Sequence, residues 1–314
     1  MTSDRPAVAG IHHITAITGD ARRNLAFYRD TLGLRLVKRT VNFDDPGTYH
    51  FYFADRTGTP GTVFTTFPWG DAPRGQRGTG EVSAAAYTVP AGALPAWRER
   101  LAKRGVTGRD GGTRFGEPVL GFDDECGGGV ELIESASLPA GVNPWSGDGV
   151  PATAAIRGFH TPTLVVRRAG PTQAVLEQLL GFRERGVEGS RRRLVAGAGG
   201  PGRQVDLVEG GAGPARPGAG SVHHIAFRVS DDATQLALRE VLAAAGLAVS
   251  EVRDRNYFHS IYFREPGGIL FEVATDVPGF TVDESEADLG RALKLPAQYE
   301  SRRAAIERAL PALD

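Results

Sequence analysis

The sequence predicts an α+β protein: four βαβββ modules forming two domains with cupped mixed sheets. Three observations predict it. Four strand-like segments begin alike, each is followed by a short amphipathic helix, and each helix ends at a glycine. The spacing from strand to glycine (His13 to Gly33, Ser83 to Gly105, His160 to Gly181, His224 to Gly246) is near-constant at roughly 20 to 22 residues, as an internal repeat requires. The 314 residues leave room for two domains at about 150 residues each.

The repeated strands are Ile11–Ile17, Val82–Val89, Phe159–Val166 and Val222–Val229. The first helix has Asp20 as N-cap and Leu25, Tyr28 and Leu32 on one face. The second carries Leu94, Trp97 and Leu101, the third Leu176, Leu179 and Leu180, the fourth Leu238, Val241, Leu242 and Ala245. The closing glycines suit the left-handed position that ends a helix. Hairpins follow: Tyr49–Phe53 and Gly61–Phe67 around the 55–60 turn, and Ser260–Phe263 and Ile269–Val273 around the Pro/Gly turn 264–268. The Gly/Pro/Ser/Ala-rich stretch 137–155 is the natural boundary. It predicts an N-terminal domain over 1–150 (modules one and two) and a C-terminal domain over 151–314 (modules three and four plus a helical tail). The Gly-rich stretch 210–220 lacks GxxxxGK[ST] and reads as a flexible linker rather than a phosphate cradle.

Composition removes several function classes. Lys+Arg 36 against Asp+Glu 37 gives a net charge of -1, which argues against nucleic acid and against a polybasic membrane anchor. No apolar run approaches the roughly 18–20 residues that span a bilayer. The segment Met1–Pro6 shows no secretory pattern. One cysteine, Cys126, excludes an intrachain disulfide and a cysteine zinc cluster, and reads as structural. These features predict a cytoplasmic protein with a small-molecule substrate, and are compatible with a homo-oligomer.

Chemistry gathers on the histidines. Five of the seven (His12, His13, His160, His223, His224) stand at repeat starts, and a His-His pair recurs at the same point of modules one and four. Glu272 lies in the otherwise apolar strand Ile269–Ala274, where a carboxylate is costly unless paired or bound to metal. Two imidazoles and one carboxylate form the facial triad of non-haem Fe(II) oxygenases, with open positions for O2 and substrate. Strand alternation places His13 with Thr15 and Ile17, and His224 with Ala226 and Arg228. The more apolar faces of His12 and His223 should then pack under the helices, and the second histidine of each pair should face the cup. His160, His224 and Glu272 form a rival set in which modules three and four share the metal. Superposing 60–66 on 266–272 puts Thr66 opposite Glu272, which suggests three protein ligands. Glu131, Glu134 and Asp206 read as solvated or hydrogen-bonded. His50 and His259 read as strand or rim residues, with His259 kept as a substrate-binding candidate.

The His-initiated repeats and the Pro-Gly-Gly-x-x-x-Glu ending resemble the vicinal oxygen chelate superfamily of glyoxalases and extradiol dioxygenases. Segments 36–42, 52–55 with 58–62, 112–116 and 261–264 are similar, more narrowly, to its ring-cleaving dioxygenases acting on hydroquinones. The resemblance implies one Fe(II) per chain held by His13, His224 and Glu272, O2 as co-substrate and a small aromatic substrate. It places Tyr262, Arg255, His12, His223 and Thr15 near the iron. Tyr262, His12 or His223 would then move protons, Arg255 would stabilise the far hydroxyl or a developing anion, and Thr15 would contact substrate. Ring cleavage of a hydroquinone is the activity expected. A catechol-cleaving dioxygenase and a glyoxalase-like isomerase or transferase are the alternatives.

Overall fold

Each module follows the pattern read from the sequence. Module one runs β1 (Gly10–Thr18), α1 (Ala21–Leu25, widened into a π-type turn over Ala26–Thr31), β2 (Arg35–Val41), β3 (Tyr49–Ala54) and β4 (Val63–Pro68). Module two runs β5 (Glu81–Pro90), α2 (Leu94–Lys103), β6 (Arg109–Arg114), β7 (Glu117–Asp123) and β8 (Gly129–Ser135). Module three runs β9 (Phe159–Val166), α3 (Ala169–Ala174, continued through Val175–Leu179), β10 (Phe182–Glu188), β11 (Arg191–Ala196) and β12 (Gln204–Glu209). Module four runs β13 (Ser221–Val229), α4 (Asp232–Ala244), β14 (Arg253–Asp254), β15 (Phe258–Arg264) and β16 (Leu270–Pro278). The structure, a computed structural model, describes residues 5–139, 141–147 and 149–313. Met1–Asp4, and positions 140 and 148 of the 137–155 boundary stretch, lie outside the described residues.

The local signals act as expected. Asp20 accepts the Arg23 backbone N–H at 2.9 Å and caps α1. The four closing glycines all have positive φ, from 67 to 84°, where a Cβ would be strained. Helix faces bury Tyr28, Trp97, Leu176 and Leu238 against the convex sides of the sheets. A fully buried side chain of this size contributes about 1.5–3 kcal/mol. In α4 the buried face includes Gln235, whose amide donates to the carbonyls of His259 and Val273, while Ala245 is exposed.

Two eight-stranded mixed sheets result. One has the order β14-β15-β16-β13-β1-β4-β3-β2, the other β10-β11-β12-β9-β5-β8-β7-β6. Each joins two modules through an antiparallel central pair, β1 with β13 and β5 with β9. Module one therefore shares its sheet with module four, and module two with module three. The halves 1–150 and 151–314 divide the sequence but not the sheets, because each half contributes one module to each cup.

The interiors of the two cups differ. The second is crossed by ion pairs, Arg193 to Asp206 at 2.7 Å and Arg114 to Glu131 at 2.6 Å, and by a His160–Glu117 contact at 2.9 Å. Glu131 and Asp206 thus have partners within the cup, and Glu134 accepts the Leu94 N–H at the start of α2. The tail after Gly279 packs on module one: Lys38, fully buried, donates to Asp283 at 2.6 Å and to Glu284. Stretch 210–220 is pinned rather than free, with backbone bonds from Gln76 to Arg216 and from Thr79 to Gly213. Among the described residues no helix is long and apolar enough to cross a membrane.

Candidate metal centre

The first cup is open. The β1–β13 register pairs His13 with Ala226 and Thr15 with His224, so the second histidine of each pair faces inward from equivalent points. Their Nε2 atoms lie 3.2 Å apart. β16 runs parallel to β13 and brings Glu272 beside Ala226. Glu272 Oε2 is 3.0 Å from His224 Nε2 and 3.4 Å from His13 Nε2. The three residues are 2%, 5% and 0% exposed. Burial alone would raise the Glu272 pKa, but His13 and His224 outweigh it and hold the carboxyl well below its usual range.

This arrangement fits a cation. Glu272 Oε1 accepts from Ser260 Oγ at 2.5 Å, whereas Oε2 is buried without a hydrogen-bond partner. Three lone-pair atoms within 4.8 Å of one another are satisfied together by one divalent ion.

The neighbouring histidines set the tautomers. His12 Nε2 faces the Thr275 carbonyl at 3.1 Å and must donate to it. Its Nδ1 then accepts from His13 Nδ1 at 2.9 Å, which leaves the His13 Nε2 lone pair aimed inward. Burial first, and His13 second, keep His12 neutral by lowering its pKa well below 6.5. His223 Nδ1 meets His224 Nδ1 at 2.7 Å. If His224 donates there, its Nε2 faces the metal set and His223 retains an Nε2–H.

A cavity of about 580 Å³ opens from the triad. Phe67, Trp69 and Phe258 give it aromatic walls, and Thr15, His223, Arg255 and Tyr262 reach it. Tyr262 pairs with Glu272 across β15–β16, and its Oη accepts from Arg255 Nε at 3.2 Å. Burial, then Glu272, raises the Tyr262 pKa and keeps the phenol protonated. Its hydroxyl faces the cavity beside Ser260.

Four expectations need correction. His223 does not pack under a helix: it is exposed and lines the cavity beside His224. His12 does not line the cavity; it sits behind His13, because the strand irregularity between Ile11 and His13 turns it toward β16. His259 is not brought to the substrate side. It lies at a register shift in β15 and binds Asp232 of α4 at 2.6 Å, while Ser260 takes the inward position. The position matching Glu272 in module one is Thr65, not Thr66: Thr65 pairs with Thr15 as Glu272 pairs with Ala226, and Thr66 turns away to Asn24. His160 of the rival set stands in the other sheet, on Glu117 and Gln204. Cys126 accepts the Gly19 N–H, and burial pushes its thiol up to about 11, away from nucleophilic use.

Sequence reasoning left His50 at the rim, yet it lines the cavity with Tyr52. The signal was available: His50 and Tyr52 share one strand face, and Tyr52-Phe53 repeats Tyr262-Phe263.

The comparisons give the family. The family described as "Glyoxalase/Bleomycin resistance protein/Dioxygenase superfamily" matches residues 10–132 and 158–273. "Putative ring-cleaving dioxygenase MhqO" of Bacillus subtilis is 47% identical over 301 residues, covering 96% of this chain and 95% of that protein. Chlorohydroquinone/hydroquinone 1,2-dioxygenase of Sphingobium indicum is 39% identical over 300 residues, 93% of each chain. The crystal structure of a "putative dioxygenase" from Bacillus subtilis superposes with a TM-score of 0.94 at 46% identity, over 98% of both chains. With its His-His-Glu centre in a cup shared by modules one and four, the chain belongs to the glyoxalase/dioxygenase superfamily and, within it, to the oxygen-incorporating ring-cleaving dioxygenases.

Proposed function

We propose that the protein is an Fe(II)-dependent dioxygenase that opens the ring of a hydroquinone-type dihydroxylated aromatic and incorporates both atoms of O2. The observation that carries this reading is the buried set His13, His224 and Glu272 opening onto an aromatic-walled cavity. The two-histidine, one-carboxylate donor set suits non-haem Fe(II). The hydroquinone assignment is supported by the 39% identical relative named for that substrate.

When bound, Fe(II) supplies the redox chemistry between O2 and an electron-rich ring. The chain's own residues do the rest. Phe67, Trp69 and Phe258 hold the ring and keep water out. The Tyr262 O–H and the His223 Nε2–H are positioned to hold or pass a proton at a substrate oxygen. The Arg255 guanidinium, bonded to Tyr262, offsets negative charge that develops there. Thr15 offers a hydroxyl beside His13.

The test is oxygen uptake after anaerobic loading with Fe(II) or Zn(II). The reading expects one O2 consumed per ring opened with Fe(II), none with Zn(II), and hydroquinone preferred over catechol. Turnover with zinc and no O2 uptake would overturn it in favour of an isomerase. Preference for catechol would overturn the substrate assignment.

A further inference from the structure

Module one carries a counterpart of the metal half of the cup. The β1–β13 pairing relates His13 to His224 and Thr15 to Ala226. Tyr52 pairs with Thr65 as Tyr262 pairs with Glu272. Tyr52 therefore stands for Tyr262, Thr65 for Glu272, and His50, two residues before Tyr52, for Ser260. Where module four ends in a carboxylate, module one has a row of neutral groups. Tyr52 Oη lies 3.0 Å from His50 Nδ1, His50 Nε2 lies 2.9 Å from Thr65 Oγ1, and Thr65 Oγ1 lies 2.8 Å from Thr15 Oγ1.

The row has one consistent polarity. Tyr52 is 1% exposed, and among the described residues the acceptor for its hydroxyl is His50 Nδ1. A buried hydroxyl donates where it has an acceptor, so His50 Nδ1 is a lone pair and the ring proton sits on Nε2. Burial lowers its pKa and keeps His50 neutral. Its Nε2–H donates to Thr65, and Thr65 spends its own hydrogen on Thr15 Oγ1. Thr15, two residues from His13 on the same face of β1, has its hydrogen left for the cavity.

We infer that His50 is a positioning residue: acting through Thr65, it fixes the Thr15 hydroxyl as a donor toward an oxygen of the substrate held at the metal set. Without His50, the two threonine hydroxyls can rotate and Thr15 can turn its hydrogen onto Thr65. The inference rests on the proposed function for its substrate and on the hydrogen-bond row for its polarity.

Two measurements test it. The first is ¹⁵N NMR of the full chain loaded with diamagnetic zinc. His50 should be the neutral Nε2–H tautomer; an Nδ1–H tautomer or an imidazolium would overturn the inference, whether or not the protein consumes O2. The second is a kinetic cycle on the Fe(II)-loaded enzyme. His50→Phe should keep its iron and lower kcat/KM by about ten- to a hundredfold, the range for one hydrogen bond to a charged oxygen. His50→Gln, which can accept from Tyr52 and donate to Thr65, should recover most of that loss. Thr15→Val should match His50→Phe, and the double variant should be no worse than either. Additive losses, or His50→Gln no better than His50→Phe, would overturn it. Absence of O2 uptake by the wild type would instead remove the functional reading and leave the tautomer measurement to decide.

Discussion

Tyr262 stands directly opposite Glu272 on the adjoining strand, yet the two do not bond each other. Ser260 takes Glu272 Oε1, and Tyr262 Oη takes the Arg255 N–H. The phenol is thus held, protonated, beside the metal set. Tyr262→Phe should keep the fold and the metal and lower kcat/KM by roughly ten- to a thousandfold, a range around general acid/base contributions. Steady-state kinetics at full metal occupancy check this. Wild-type rates would make Tyr262 a packing residue.

His12 lies behind His13 rather than in the cavity. It accepts the His13 Nδ1 proton and passes the polarity to the Thr275 carbonyl. His12→Phe should weaken metal binding by about 10- to 100-fold, as loss of an outer-shell partner does. A metal titration against a competing chelator measures it, and unchanged affinity would contradict the tautomer assignment.

Much of this was legible in the sequence because it depends on local periodicity. Strand alternation selects His13 and His224 over their neighbours, and a glutamate in an apolar strand marks the proposed third ligand. Helix-ending glycines mark the modules. Long-range pairing was not legible: nothing local says that module one shares a sheet with module four, or that 210–220 is tied to 73–79. Irregularities hid the rest. A register shift in β15 turns His259 outward, another turns His12 behind His13, and a one-residue difference in register exchanges Thr66 for Thr65. His50 escaped notice because its meaning lies in partners on β1 and β4.

The second cup is crossed by buried ion pairs. Asp206, fully buried, is bound by Arg193 and Arg191. Asp206→Ala strips buried Arg193 of its two short carboxylate bonds, leaving Glu117 at 3.6 Å, and should cost about 3–5 kcal/mol. Denaturant unfolding would measure it. The folded fraction should keep its specific activity; loss of activity without loss of stability would give the second cup a catalytic role.

Glu125 carries a pH signature. Burial, then Asp124, raises its carboxyl to about 7. The folded state therefore keeps a proton that the unfolded chain has already lost, so stability falls as pH rises between about 4.5 and 7 and is level above. The full effect is at most about 3 kcal/mol. Glu125→Gln keeps an acceptor for Asn24 and should remove that part of the slope in Tm against pH. An unchanged slope would show that Glu125 ionises normally.

The most direct test of the account is metal content in four single variants. His13→Ala, His224→Ala and Glu272→Ala, purified and loaded anaerobically with Fe(II), should each lose most of the iron and the oxygen uptake. His160→Ala, on the other sheet, should hold about one iron per chain, as the two-histidine, one-carboxylate site of the wild type should. Iron retained by His13→Ala and lost from His160→Ala would contradict the account and move the centre to modules three and four.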